Sequence, residues 1–290
     1  MFDIIVNPIS GKGKGAKALD KITALLDKEG IEYKVHKTQR AAHATQIVKG
    51  LNDSQDHTNL VILGGDGSFN EVLNGVTDFS KITISFIPCG TGNDFAAAAK
   101  ISTDPEKAIL SAIKGEKRYI DFIQIGERRA LNAAGAGLDV DVLEKYSTMK
   151  AFKGKMKYYA SLLSVLCHVK FHKLRLTVDG VTTEKSVFII AAANGNYIGG
   201  GMAISPTSVI DDGYITVVVV NEVKKRKIPG LLIKFLSGGK HIYQPCSEVY
   251  NVKECKIEIL DEGCIQLDGE LFKDKVLDCK IVSNQLEVFM

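Results

Sequence analysis

The sequence lacks a strong charge imbalance, a close cysteine pair, a leader-like start and any long apolar run. Its 37 basic and 34 acidic residues leave a formal net charge of +3, too little for electrostatics alone to recruit a nucleic acid. Any basic surface must be local. The six cysteines, Cys89, Cys167, Cys246, Cys255, Cys264 and Cys279, contain no C-x-x-C pair, and Met1-Phe2-Asp3 offers neither a basic n-region nor an apolar h-region. Both features point to a reducing cytoplasm. Cys246, Cys255 and Cys264 recur every nine residues, a spacing that strands at hairpin intervals explain as well as a metal would. The longest apolar runs, Val187 to Ala193 and Ile215 to Val220, fall well short of the roughly 20 residues that span a bilayer. They read as buried strands.

With 290 residues, 45% of them hydrophobic and 24% charged, the chain is near the size at which one core gives way to two. The texture divides it into domains 1–125 and 126–290. In the first, β-branched runs (Phe2 to Val6, Tyr33 to His36, Leu60 to Leu63, Ile82 to Ile87, Tyr119 to Ile125) alternate with amphipathic helices. Leu19, Ile22, Leu25 and Leu26 mark one helical face, and Ala44, Ile47, Val48 and Leu51 another. That is the pattern of an α/β domain with a parallel sheet. In the second, strand follows strand: Ala130 to Ala134, Leu174 to Val178, Ser186 to Ala193, Ile215 to Val220, Lys256 to Leu260, Cys264 to Leu267 and Leu286 to Phe289. The only helical intervals are Tyr158 to Val169 and Ile228 to Leu236, so this domain is expected to be β-rich.

Three glycine-rich segments carry the chemistry. Gly11-Lys12-Gly13-Lys14-Gly15-Ala16 follows a strand and opens a helix, but the next strand ends in Tyr33 to Thr38 without the acidic residue of a dinucleotide site. It also lacks the Gly-Lys-Ser/Thr ending of a P-loop. A glycine turn able to approach phosphate remains, with a plain solvated turn as the alternative. Gly64-Gly65-Asp66-Gly67-Ser68 runs directly from a buried strand into a helix. Its glycines let the backbone pass close to a phosphate, and Ser68 can cap the helix. Asp66 suits the loop if a divalent cation or a hydroxyl lies between it and the phosphate. One strand later, Cys89-Gly90-Thr91-Gly92-Asn93-Asp94 repeats the design, with Thr91 and Asn93 as caps and phosphate contacts. Two such loops at the carboxyl ends of neighbouring strands mark the usual ligand position of an open α/β sheet.

These residues resemble the diacylglycerol kinase catalytic domain family in its soluble bacterial form. Asn7-Pro8-Ile9-Ser10-Gly11 is similar to the family's N-P-x-S-G, Thr38 to Ala44 to its T-x-x-x-x-H-A, and Gly64 to Asn70 to its G-G-D-G-T-x-N. Gly90 to Ala96 resembles its G-T-x-N-D-F-A, and Asp268-Gly269-Glu270 its D-G-E. The resemblance implies a nucleotide-binding α/β domain, a β-rich C-terminal domain and an ATP- and Mg2+-dependent transfer of the γ-phosphate to a lipid hydroxyl. It assigns Glu270 as general base, with Asp66, Asp94 and Asp121 around a catalytic magnesium through water. Asn7, Ser10, Gly11, Thr38, Gly64, Gly65, Asp66, Gly67, Ser68, Phe69, Asn70, Thr91 and Asn93 would hold the nucleotide. It also implies a structural magnesium at Val209, Asp212 and Tyr214, with Asp211 as the rival side-chain ligand. Ser68 stands where the family usually has Thr, and Cys89 is a place where oxidation or alkylation would affect activity.

The acceptor stays open between diacylglycerol, monoacylglycerol, a sphingoid base and a polyprenol, with diacylglycerol, giving phosphatidic acid, as the leading choice. A membrane substrate calls for a basic surface beside apolar residues. Lys150, Lys153, Lys155 and Lys157 before Tyr158 to Val169, and Lys224 to Lys227 before Leu231 to Phe235, are the candidates. Peripheral attachment at the inner membrane surface and a homodimer are the expected associations. An NAD kinase shares Gly64 to Gly67 but is not expected to carry Asn7-Pro8 with Gly90 to Asp94. A non-catalytic nucleotide-binding regulator on the same fold is the other alternative.

Overall fold

A computed structural model describes every residue except Ala151 and Lys153, and gives only the backbone of Gly154 and Lys155. By its contacts the chain forms two compact units, Met1–Asp121 with Val282–Met290, and Phe122–Ile281. The sequence reading draws one cut between 125 and 126. The contacts instead return the last residues to the first unit, because their strand pairs there.

The first unit alternates strands and helices: β1 Phe2–Val6, α1 Lys14–Lys28, β2 Tyr33–Lys37, α2 His43–Ser54, β3 Thr58–Gly64, α3 Asp66–Gly75, β4 Ile82–Pro88, α4 Asp94–Ala98, α5 Pro105–Lys114, then β5 Lys117–Ile125. β4, β3, β1 and β2 lie side by side and parallel. Short connections cannot make that pairing, so each crossover carries a helix. α1 turns Ala18, Ile22 and Leu26 inward, at the four-residue spacing of one helical face, onto Ile4, Val6, Val61 and Leu63. Phe69, Phe86 and Phe95 form an aromatic cluster on α3, β4 and α4, with ring centroids 4.9–6.1 Å apart. Phe69 and Phe95 are fully buried, each stabilising the unit by about 1.5–3 kcal/mol on area grounds.

The second unit contains β6 Arg128–Ala130, β7 Ala133–Gly137, α6 Leu138–Thr148, α7 Gly154–Leu166, β8 His172–Val178, β9 Val181–Ala193, β10 Tyr197–Ile198 and β11 Met202–Ala203. It continues with β12 Ile215–Asn221, α8 Ile228–Leu236, β13 Ser247–Val252, β14 Glu254–Ile259, β15 Ile265–Leu267, β16 Glu270–Phe272 and β17 Val276–Phe289, whose residues from Val282 onward belong to the first unit. Its strands pair antiparallel in the order β16, β15, β7, β9, β8, β14, β17, and β12 joins β9 and β13. The 13-residue β9 is long enough to serve β8 with its first half and β7 with its second. Leu138, Val142, Leu162, Ile228 and Leu231 of α6, α7 and α8 share one core with Phe188, Ile189 and Val218. α6 is a helix where the sequence read β-rich texture.

Cys255 lies in β14 and faces Cys279 across the ladder, while Cys246 and Cys264 precede β13 and β15. All six cysteines are free thiols. The nine-residue recurrence follows the succession of β13, β14 and β15.

Candidate functional site

In the first unit, loops from the carboxyl ends of β1, β3 and β4 are bound to one another through their backbones. The Asn7 amide donates to Leu63 O (3.0 Å), and the Gly64 carbonyl accepts both the Cys89 amide (2.7 Å) and the Gly90 amide (3.2 Å). Thr38, after β2, donates its amide to Val6 O (2.9 Å). So Asn7, Thr38, Gly64 and Cys89 share one end of the sheet.

Side-chain volume explains the glycines. A Cβ on Gly90 would sit 2.5 Å from the Gly65 Cα, one on Gly65 3.0 Å from the Gly90 Cα, and one on Gly11 2.0 Å from the Cys89 carbonyl oxygen. These are main-chain contacts that cannot swing aside. Around Gly67 there is nothing within 4 Å, so its lack of a side chain serves the open side of the loop.

Asp66 ties the two central loops together. It is the first residue of α3, and its Oδ1 accepts the Phe95 amide at 3.0 Å, in the first turn of α4. Neither Ser68 nor Asn93 caps a helix with its side chain, contrary to the sequence expectation. Ser68 lies inside α3, and Asn93 adopts a left-handed φ of 59° and donates Nδ2 to Gly90 O at 3.1 Å. Asp66 has taken the capping place. Asp94 is buried in the same α4 turn, where the helix dipole favours a carboxylate, and Asp121 is buried in β5.

The Phe69 side chain is packed into the aromatic cluster, which leaves its backbone as the part at the loop. Thr91 and Gly67 are exposed, and Ser10, Gly11, Thr38, Gly65, Ser68 and Asn70 are half-buried. Cys89 is buried, and burial pushes its thiol up to about 11 despite nearby Lys14. The thiolate that alkylation or oxidation requires is scarce there, so the expected sensitivity is not supported.

Glu71 escaped the sequence reading. Its carboxylate accepts the Ala42 amide (3.0 Å) and the Ala44 amide (3.2 Å), and its carbonyl accepts Thr45 Oγ1 (2.8 Å). It fastens the Thr38 to Ala44 segment to α3. A glutamate directly after the Gly64 to Asn70 loop was the available signal.

In the second unit, Asp268 and Gly269 join β15 to β16 with φ of 46° and 87°, between the paired Leu267 and Glu270. Positive φ at both positions is the two-residue turn whose twist suits a hairpin. The Asp268 carboxylate accepts three successive amides, Leu131 (2.6 Å), Asn132 (2.8 Å) and Ala133 (3.0 Å). Those bonds end β6 and start β7, which is why Ala130 to Ala134 is not one strand. Glu270 opens β16 and is exposed.

The Val209 to Tyr214 segment precedes β12. Val209, Asp211, Asp212 and Tyr214 are exposed, and Asp212 Oδ1 accepts the Tyr214 amide at 2.9 Å. Its donors are oxygens, the ligand type of magnesium. Among the described residues, no three His, Cys, Asp or Glu side chains converge on a direct metal position.

The profile described as Diacylglycerol kinase catalytic domain matches residues 2–125. That described as YegS C-terminal NAD kinase beta sandwich-like domain matches 132–290. A diacylglycerol kinase of Staphylococcus carnosus is 30% identical over 269 residues, covering 92% of this chain and 87% of the relative. The chain belongs to the diacylglycerol kinase family. Another relative, the diacylglycerol kinase of Staphylococcus saprophyticus, is 28% identical and covers 92% of this chain and 88% of its own. A crystal structure of a Bacillus anthracis diacylglycerol kinase superposes with a TM-score of 0.79 at 24% identity, over 99% of this chain and 96% of that one. The fold is therefore the one shared by diacylglycerol kinases and NAD kinases, an α/β first unit and a β-rich second. The glycine loops lie in the part of the chain that matches this family of kinases.

Proposed function

We propose that the protein is an ATP- and Mg2+-dependent lipid kinase that transfers the γ-phosphate to the hydroxyl of diacylglycerol, giving phosphatidic acid. The observation that carries it is the backbone-locked junction of the β1, β3 and β4 loops in a chain of the diacylglycerol kinase family.

Phosphoryl transfer asks a protein mainly for positioning and charge neutralisation. Asn7, Ser10, Gly11, Thr38, Gly64 to Asn70, Thr91 and Asn93 hold the nucleotide, chiefly with backbone and hydroxyl groups. Asp66 and Asp94, brought to one helix turn, and Asp121 offer hard carboxylate oxygens that would hold a divalent cation through water. Magnesium there would neutralise charge on the phosphates. Glu270 takes the proton of the lipid hydroxyl; the hydroxyl oxygen bonds to the γ-phosphorus as the bond to the bridging oxygen breaks, and ADP leaves. Val209 and Tyr214 carbonyls with Asp212 are assigned a second, structural magnesium.

The enzyme is proposed to work at an anionic membrane surface. No described helix is long and apolar enough to cross a membrane. Met156, Tyr159 and Leu163 are exposed at helical spacing on α7, and Ile233 and Leu236 on α8, beside Lys150, Lys157 and Lys224 to Lys227. Lys153 and the Lys155 side chain lie outside the described residues.

The test is labelled γ-phosphate transfer from ATP to a panel of lipids in mixed micelles, with Glu270→Gln and Asp66→Ala alongside. Transfer to diacylglycerol that both variants abolish is expected. Wild-type rates in Glu270→Gln would remove the base, and transfer to NAD but to no lipid would move the protein to the NAD kinase reading. Failure to sediment with anionic vesicles containing substrate would refute the membrane surface.

A further inference from the structure

Behind the Glu270 turn lies a carboxylate that the reaction above does not use. Asp139, in the first turn of α6, is only 5% exposed and has neutral hydrogen-bond partners. Its Oδ1 accepts the Val140 amide at 2.9 Å, and its Oδ2 accepts Gln266 Nε2 at 3.0 Å. Gln266, 3% exposed on β15, passes the contact on: its Oε1 accepts the Gly269 amide at 2.9 Å, one residue before Glu270. Gly135, opposite Gln266 on β7, makes room for the pair, since a Cβ there would sit 2.8 Å from Asp139 Oδ2.

A buried carboxylate without a cation is costly to keep, so its chemistry matters. An ionised carboxylate only accepts hydrogen bonds. Gln266 must then turn its NH2 toward Asp139, which leaves its oxygen for the Gly269 amide. If Asp139 is protonated it can donate, the Gln266 amide can rotate, and an NH2 then faces the Gly269 N–H. Two donors meet, and the turn loses its anchor.

We infer that Asp139, acting through Gln266, is a positioning residue that fixes the turn carrying Glu270 and makes catalysis depend on its own ionisation. This rests on the reading of Glu270 as the base. Burial lifts the Asp139 carboxyl to about 6, overcoming the hydrogen bonds from Val140 and Gln266. The charged groups facing it are Asp141 on α6 and His172 on β8, themselves paired at 3.1 Å. The groups from β7 and β15 are the neutral Gly135 and Gln266.

The decisive variants exchange acid and amide. In Asp139→Asn, Oδ1 must serve Val140, so Nδ2 faces Gln266 and reverses it. The expected result is a kcat at least about 10-fold lower, the scale of a misplaced reacting group, with KM for ATP unchanged and no titration of kcat near pH 6. In Asp139→Asn/Gln266→Glu, the introduced amide donates to the introduced carboxylate, which also accepts the Gly269 amide, and kcat is expected to recover. In the wild type, the Gly269 backbone amide resonance should shift with a midpoint of about 6. A double variant no more active than the single one, or a Gly269 resonance that does not move between pH 5 and 8, overturns the inference. Because that resonance is read without turnover, full activity in Glu270→Gln locates the failure in the base and not in the relay.

Discussion

Asp268→Asn tests the carboxylate that shapes the second unit. Asparagine adopts a left-handed φ as readily as aspartate, so the turn conformation itself costs little. What changes is hydrogen bonding. The remaining oxygen still serves the Asn132 and Ala133 amides, at 2.8 and 3.0 Å in the parent, but without charge. The new NH2 faces the Leu131 amide, whose bond of 2.6 Å was the shortest of the three. Leu131 is buried, so its amide has no water to turn to, at a cost of about 1–3 kcal/mol. Weakening the other two bonds adds roughly 1 kcal/mol. A total loss of about 2–4 kcal/mol should lower the thermal transition of the second unit by roughly 5–15 °C. Calorimetry on the whole chain reads this, with Asp268→Gly, which removes the acceptor from all three amides, expected to lose more. A loss below about 0.5 kcal/mol in Asp268→Asn would refute the claim that the carboxylate holds the β6–β7 break.

Gly90→Ala drives a Cβ into the Gly65 Cα and the Asn93 Oδ1, so nucleotide affinity should fall at least about 10-fold in a fluorescent-nucleotide titration. Gly67→Ala meets no atom and sits within α3, so its melting temperature should match or exceed the parent's, alanine being about 1 kcal/mol better in a helix. Any activity it loses then reports on the ligand side. Glu71→Gln turns an NH2 toward the Ala42 or Ala44 amide and should destabilise by about 1–2 kcal/mol, with faster hydrogen exchange at those two amides and a raised KM for ATP. Burial pushes the Glu248 carboxyl up, but Tyr250, Asn221 and Lys185 outweigh it and bring it down to about 2. A carboxylate depressed on folding stabilises above its unfolded pKa and loses that contribution as pH falls through its folded one. Urea melts should therefore show Glu248→Gln less stable than the parent at pH 6, with the gap closing from about pH 4.5 toward 2.

Elements whose periodicity is local were readable from the sequence. β1, β3, β4 and α8 lie where their apolar runs put them, and Pro229 in the first turn of α8 marks its start. The loop positions were readable for the same reason: glycines following a buried strand. The misread elements were set from a distance. Leu131 to Ala133 look like continuous strand, and only an acid more than 130 residues away breaks them. α6 carries Asp139, Asp141, Glu144 and Lys145, so few apolar residues announce its buried face. β17 was seen only from Leu286 onward, because Asp278 and Lys280 alternate outward along its first half. At the site, Asp66 could be picked out as an acid among glycines. That it would cap α4 depended on β3 and β4 being neighbours, as Gln266 and Gly269 depended on the turn.

The return of Val282–Met290 to the first unit has a consequence for the order of synthesis. Glu287 and Val288 pair with Thr83 and Ile84 on β4, and Glu287 Oε2 accepts Thr83 Oγ1 across 204 residues of sequence. At roughly 5–20 residues per second, the ribosome makes β4 roughly 10–40 seconds before the strand that covers its edge. In that interval all of Phe122–Ile281 emerges and can fold, while β4 stays open to pairing with another chain. The inserted unit can thus be finished before the one that began first.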